Sequence, residues 1–112
     1  PVMVQLCMGI PWGAPDDLNT FMAMVNNVPT DWVRSAFSIG RNQMNYVAAT
    51  VLSGGHIRVG LEDNIWLQKG VLATNAQLVE RAATIATNMG STLMTPAQVR
   101  ELIKVEKRTP LA

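Results

Sequence analysis

Gly54-Gly55-His56-Ile57-Arg58-Val59-Gly60-Leu61-Glu62-Asp63-Asn64 reads as a short strand that is entered through two glycines and closed by adjacent carboxylates. Strand side chains alternate, so His56, Arg58 and Gly60 share one face while Ile57, Val59 and Leu61 share the other. An arginine that points into a packed layer is costly to desolvate unless it meets a carboxylate, and Glu62 and Asp63 lie one strand-end away. Two readings stay open on these residues alone. Arg58, Glu62 and Asp63 form either a structural ion network that fixes a loop or a chemical site at the carboxyl end of a strand, where α/β folds place their ligands.

Toward the N-terminus, residues 2–9 form an apolar run broken only by Gln5, the pattern of a parallel strand buried on both faces. Gly9, Pro11, Gly13 and Pro15 punctuate the loop that follows, with Pro15 expected in a first helical turn and Asp16 and Asp17 at the positive end of that helix. Leu18, Phe21, Met22 and Val25 follow at helical spacing, and the methionines read as gap-filling core residues. Trp12 reads as a core residue, with a pocket wall as the alternative. A turn at Pro29-Thr30-Asp31 leads into a strand over 33–39, and Gly40-Arg41-Asn42-Gln43 opens a helix whose buried stripe is expected to be Met44, Val47, Ala48, Val51 and Leu52. Glycine between strand and helix exposes backbone N–H groups, which suits phosphate; Arg41 is therefore the candidate for holding an anionic substrate tail or a phosphate.

Toward the C-terminus, residues 61–73 exceed an ordinary βα connection, yet Ile65, Trp66, Leu67, Val71 and Leu72 are too apolar to be solvated. The segment is expected to pack as a loop over a barrel mouth or against another subunit. Thr74 and Gln77 have capping-box spacing, with Leu78, Ala82, Ile85, Ala86 and Met89 as the helix stripe and Gly90 as its stop. Thr95, Pro96 and Gln98 start a last short helix that carries Val99, Leu102 and Ile103 inward. The order is βα, βα, βα, α. It predicts an α/β arrangement of three parallel strands, which cannot close a barrel and leaves a strand edge open.

Composition excludes some classes. The 112 residues carry a formal charge of +1, and the basic residues are scattered apart from Lys104, Lys107 and Arg108, so neither nucleic acid nor a membrane surface is an expected partner. The single cysteine, Cys7, allows no intrachain disulfide and reads as a small buried hydrophobe. No apolar stretch reaches the ~18 residues of a spanning helix. No signal peptide is visible, and a cytoplasmic location is expected. Because Pro1 runs at once into a buried-strand pattern, the chain reads as cut from something longer.

The GGHIRVGLEDN block, followed by Lys69-Gly70 and by Thr74-Asn75-Ala76-Gln77-Leu78-Val79-Glu80-Arg81-Ala82, resembles the C-terminal part of the β-keto acid cleavage enzymes, typified by the 3-keto-5-aminohexanoate cleavage enzyme. Ile39-Gly40-Arg41-Asn42-Gln43 and Thr95-Pro96-Ala97-Gln98-Val99-Arg100-Glu101 extend the resemblance over most of the chain. It implies that residues 1–112 are one partial domain, the C-terminal part of a (β/α)8 TIM barrel, since a whole barrel needs about 200 to 250 residues. It also implies Zn2+ held by Glu62 and by two histidines upstream of this chain, with Asp63 as the base and Arg58 as its working partner. His56 does not match those zinc histidines and is expected to be a strand histidine bonded to its neighbours. The implied reaction joins a β-keto acid to the co-substrate acetyl-CoA, giving acetoacetate and a new coenzyme A thioester, in an enzyme that is a homo-oligomer at full length.

Two rivals remain. One is a non-catalytic α/β fragment with a structural Arg58/Glu62/Asp63 network. The other is a metal-assisted keto-acid aldolase or decarboxylase that works without coenzyme A.

Overall fold

The computed structural model describes residues 1–111. Strand β1, Met3–Met8, pairs in parallel with β2, Val33–Ser38, and β2 pairs in parallel with β3, His56–Ile57, giving a sheet of order β1-β2-β3. Helix α1, Leu18–Asn27, crosses from β1 to β2, and a short 3-10 turn, Gly40–Asn42, leads into α2, Gln43–Leu52, which crosses from β2 to β3. The expected three parallel strands are therefore present. The register puts Gln5 and Cys7 beside Ser35 and Phe37 on one sheet face, with Leu6, Met8, Ala36 and Ser38 on the other.

The core lies on that second face. Met8, Phe21, Ala36 and Tyr46 are buried together, with Leu6, Ala14, Met24, Val25 and Ala49 packed around them. Phe21 meets Tyr46 edge-on at 5.2 Å between ring centroids. Burial pushes the Tyr46 hydroxyl pKa up, and the charges of Asp16 and Asp17 add to the rise. Helices on one face of a sequentially ordered parallel sheet are what right-handed crossovers produce.

Several local expectations are corrected. Residues 2–9 are not buried throughout: in β1 only Met8 is fully enclosed, because the strand has one neighbour. Cys7 is half-buried rather than enclosed. Pro15 lies before α1, whose cap is Asp17, accepting from the Thr20 N–H at 2.8 Å. That bond holds the Asp17 carboxyl below its ordinary range. The cap's contribution is thus complete above the ordinary carboxylate pKa and fades as pH falls through the lowered one. Leu18 and Met22 are exposed, as is Trp12, at 90% of its surface; it lies on the loop after β1, outside the core.

In α2 the buried residues are Gln43, Tyr46, Val47 and Thr50, so the helix is rotated by one position from the expected stripe and Leu52 is left 82% exposed. Two polar side chains explain the rotation. Thr50 Oγ1 donates to the Ala36 carbonyl, and Gln43 Nε2 donates to the Gly60 carbonyl. The 61–73 segment is also more than a loop: β4, Trp66–Gln68, and β5, Val71–Leu72, form an antiparallel hairpin that turns at Lys69-Gly70, where Gly70 has φ +79°.

Helix α3, Asn75–Asn88, starts at the expected Thr74/Gln77 capping box and buries Leu78, Ala82 and Ala86. Its Arg81 donates to the Leu67 carbonyl of the hairpin. Helix α4, Pro96–Ile103, has the expected Thr95/Gln98 box but buries no residue, with Val99 and Leu102 exposed.

Gly55 leaves room for the side chain that passes over it. Arg34 on β2 reaches across to the end of α2, donating from Nη1 to Ser53 Oγ at 3.0 Å and from Nη2 to the Ser53 carbonyl at 2.5 Å. A Cβ at Gly55 would sit 2.5 Å from Arg34 Nη1 and 3.1 Å from Thr50 Cγ2. Gly55→Ala is expected to dislodge Arg34 from the helix end and to cost about 1–3 kcal/mol, as overpacking does. A lowered midpoint in chemical denaturation checks this; an unchanged midpoint rejects it.

Candidate active site

Beyond Ile57 the chain leaves β2 and closes a tight turn. The Gly60 carbonyl accepts from the N–H groups of Asp63 and Asn64 at 3.2 Å each and from Gln43 Nε2 at 3.0 Å. The Leu61 N–H donates to Asn75 Oδ1 at the start of α3. The Asp63 carbonyl accepts from the Gly40 N–H at 2.7 Å, so the turn that starts α2 and the turn that carries the carboxylates hold each other. Buried Asn64 fixes the hairpin by accepting from the Trp66 N–H and donating to the Trp66 carbonyl.

Arg58 gathers the site. Its Nε donates to Asp63 Oδ2 at 3.1 Å and its Nη2 to Asp63 Oδ1 at 3.3 Å, a two-pronged pair. Nη2 also donates to Glu62 Oε2 at 2.7 Å, and Nη1 to Gln5 Oε1 at 2.9 Å. The guanidinium carbon lies 4.3 Å from the centre of the Phe37 ring, a cation–π contact on the face opposite the core. Arg58 is thus on the expected face, with Glu62 and Asp63 just past the end of β3.

The two carboxylates differ in exposure. The Asp63 side chain is 6% exposed and that of Glu62 82%. A solvent-exposed pair such as Arg58–Glu62 contributes about 0–1 kcal/mol. Stripping Arg58 from the enclosed Asp63 strands a buried charge, at about 3–5 kcal/mol. The Asp63 pair therefore sets the arrangement, and Glu62 is the free arm. Cys7 lies on the same sheet face, beside Phe37: burial pushes its thiol pKa up, Asp63 adds to the rise, and Arg58 opposes it.

The other named residues stand apart. Arg41 lies exposed on the 3-10 turn, and the neighbouring Gly40 N–H is already spent on Asp63. His56 is exposed and lines a cleft with Trp32, Arg34 and Leu102; its ring has no hydrogen-bond partner among the described residues, which corrects the expected bonded histidine. Among the described residues no three His, Cys, Asp or Glu side chains are placed to hold a metal ion. Glu62 has one oxygen on Arg58 and the other without a hydrogen-bond partner.

Sequence reading did not pick out Gln5, Ser35, Phe37, Gln43, Asn64 or Asn75 as parts of the site. Gln5 had a visible signal as the single polar break in an apolar strand.

The profile of the beta-keto acid cleavage enzyme family matches residues 1–105. The 3-dehydrocarnitine:acetyl-CoA trimethylamine transferase of Rhizobium meliloti is 66% identical over 108 residues, which are 96% of this chain and 36% of that protein. A 3-keto-5-aminohexanoate cleavage enzyme of Acetoanaerobium sticklandii is 32% identical over 96% of this chain and 40% of its own length. The 3-oxoadipate:acetyl-CoA acetyltransferase of Cupriavidus necator is 33% identical over 96% of this chain and 41% of its own length. The chain thus spans about two fifths or less of these relatives.

Gln43 ties α2 to the carboxylate turn, and that tie is testable. Gln43→Leu removes the donor to the Gly60 carbonyl and should cost about 1–3 kcal/mol. Amide hydrogen exchange at Asp63 and Asn64, which bond to the same carbonyl, should accelerate. Unchanged exchange at both amides would show that Gln43 does not hold the turn.

Proposed function

The chain belongs to the β-keto acid cleavage enzyme family, and from that premise we propose that it is the C-terminal part of a TIM-barrel enzyme that condenses a β-keto acid with acetyl-CoA. The products are acetoacetate and a new coenzyme A thioester. The observation that carries the reading is Arg58 bridging Asp63 and Glu62 just past the end of a parallel strand, where barrels place their chemistry. Strands in sequential order, with the core on one face only, support the barrel. The 66% identity to the R. meliloti transferase makes 3-dehydrocarnitine the first substrate to test.

In this reading Asp63 receives the α-proton of the keto acid on a carboxylate oxygen. Arg58 locks both Asp63 oxygens in one plane and leaves each with a lone pair for that proton. An arginine has five N–H donors, and four of those of Arg58 are engaged, so one Nη1 hydrogen remains for the substrate or its developing oxyanion. Glu62 offers its unbonded oxygen to Zn2+, whose other ligands come from outside these 112 residues. A bound zinc supplies Lewis-acid polarisation of the keto oxygen. Arg41 takes the coenzyme A phosphate from the exposed rim.

Three substitutions in the full-length enzyme separate these roles, with zinc content per subunit and acetoacetate formation as the measurements. Glu62→Gln should lower both together. Asp63→Asn should keep the zinc and lose roughly 10² to 10⁴ in rate, the usual effect of removing a general base. Arg58→Ala should follow Asp63→Asn. Zinc lost with Asp63→Asn and kept with Glu62→Gln would reverse the roles, and unchanged rates in all three would leave a structural ion network.

The purified 112-residue chain, supplied with zinc, acetyl-CoA and a β-keto acid, is expected to turn over nothing, because a catalytic zinc takes three protein ligands and this chain offers one. Steady acetoacetate release by the chain alone refutes that expectation.

A further inference from the structure

We propose that Gln5 and Ser35 are positioning residues for the proton transfer, acting through Arg58; this rests on the reading in which Arg58 and Asp63 carry that step. Gln5 sits on β1 and Ser35 is its registered neighbour on β2, both on the sheet face opposite the core. Gln5 Nε2 donates to Ser35 Oγ at 3.0 Å while Gln5 Oε1 accepts from Arg58 Nη1 at 2.9 Å. Ser35 is 2% exposed, so its hydroxyl has little access to water and its bond to Gln5 is the one on offer.

This geometry decides which way the Gln5 amide points. Flipping it would bring the NH₂ group against the Arg58 N–H groups, donor to donor, and would turn the carbonyl oxygen toward Ser35. Arg58, which can only donate, therefore keeps the amide oxygen toward itself, and the Ser35 hydroxyl anchors the NH₂ group on the other side. The guanidinium then has four fixed points: Asp63 on Nε and Nη2, Glu62 on Nη2, Gln5 on Nη1, and the Phe37 ring beneath.

Without Gln5, Arg58 loses its one partner on Nη1, and any tilt of the guanidinium carries the plane of the Asp63 carboxylate with it. Proton abstraction is sensitive to such displacement, since a misplacement of about 1 Å can cost on the order of 10²-fold in rate. Gln5 reaches the reaction across 53 residues of sequence, through one side chain.

The test is a double-mutant cycle in the full-length enzyme with 3-dehydrocarnitine and acetyl-CoA. Gln5→Met, similar in length but without donor or acceptor, should lower kcat by roughly 10- to 100-fold with KM and zinc content unchanged. The same change should have no further effect in an enzyme that already carries Arg58→Ala. Gln5→Glu, which can accept from both Arg58 and the Ser35 hydroxyl, should recover most of the rate. Should Gln5→Met fail to fold, Ser35→Ala releases the amide with a smaller perturbation and is read in the same cycle. An equal loss with and without the Arg58→Ala change, or no loss in kcat, overturns the positioning role while the proposed activity stands. If Arg58→Ala itself leaves kcat intact, the assignment of the proton transfer to Arg58 and Asp63 falls and this inference with it.

Discussion

Asp63 is enclosed, charged, and held from every side. Its carbonyl takes the Gly40 N–H, its own N–H goes to Gly60, and both carboxylate oxygens go to Arg58. A buried carboxylate is tolerated only with such pairing. Its needs therefore propagate outward. Arg58 must lie on the open face of the sheet, the chain must turn at Gly60, and the start of α2 must come close enough for Gly40 to donate.

The orientation of α2 follows from the same requirement. A helix placed by hydrophobicity alone would bury Leu52 and expose Gln43; the observed helix does the reverse. Gln43 satisfies the Gly60 carbonyl of the carboxylate turn, and Thr50 satisfies Ala36 at the other end of the same stripe. Rotating the helix leaves an apolar groove between α1 and α2, about 600 Å³, lined by Leu18, Met22, Leu52 and Met89 among others. The site's geometry has been kept at the expense of a smooth helix surface.

What could be read from sequence was whatever depends on near neighbours. The capping boxes at Thr74/Gln77 and Thr95/Gln98, the β2 strand, and Arg58 beside Glu62 and Asp63 are all set within a few residues, and each is where its spacing placed it. What escaped depends on distant partners. The extent of β3 was overestimated because past Ile57 the chain turns to meet Gln43 and Asn75, 17 and 14 residues away from the groups they bond. The burial of β1 was overestimated because an apolar run does not reveal how many neighbours a strand has. The hairpin is different, since Lys69-Gly70 between two apolar segments is a local turn signal that needs no distant partner.

The polar face of the sheet has a consequence for any closed barrel built on it. A barrel interior is poorly solvated, so polar groups there must already be paired. Gln5 is paired to Ser35 and Arg58, and Arg58 to Asp63 and Glu62, all within this chain. The Cys7 thiol, its pKa pushed up by burial and by Asp63, is kept neutral beside them. Beyond the lone pair left on each Asp63 oxygen, the spare capacity of the arginine cluster comes down to the open oxygen of Glu62 and one Nη1 hydrogen of Arg58. One suits a cation and the other an oxyanion, and both are held by the same guanidinium. A ligand that presents an electron-rich oxygen shared between a metal and a hydrogen-bond donor would satisfy both at once, and the keto oxygen of a β-keto acid is such a group.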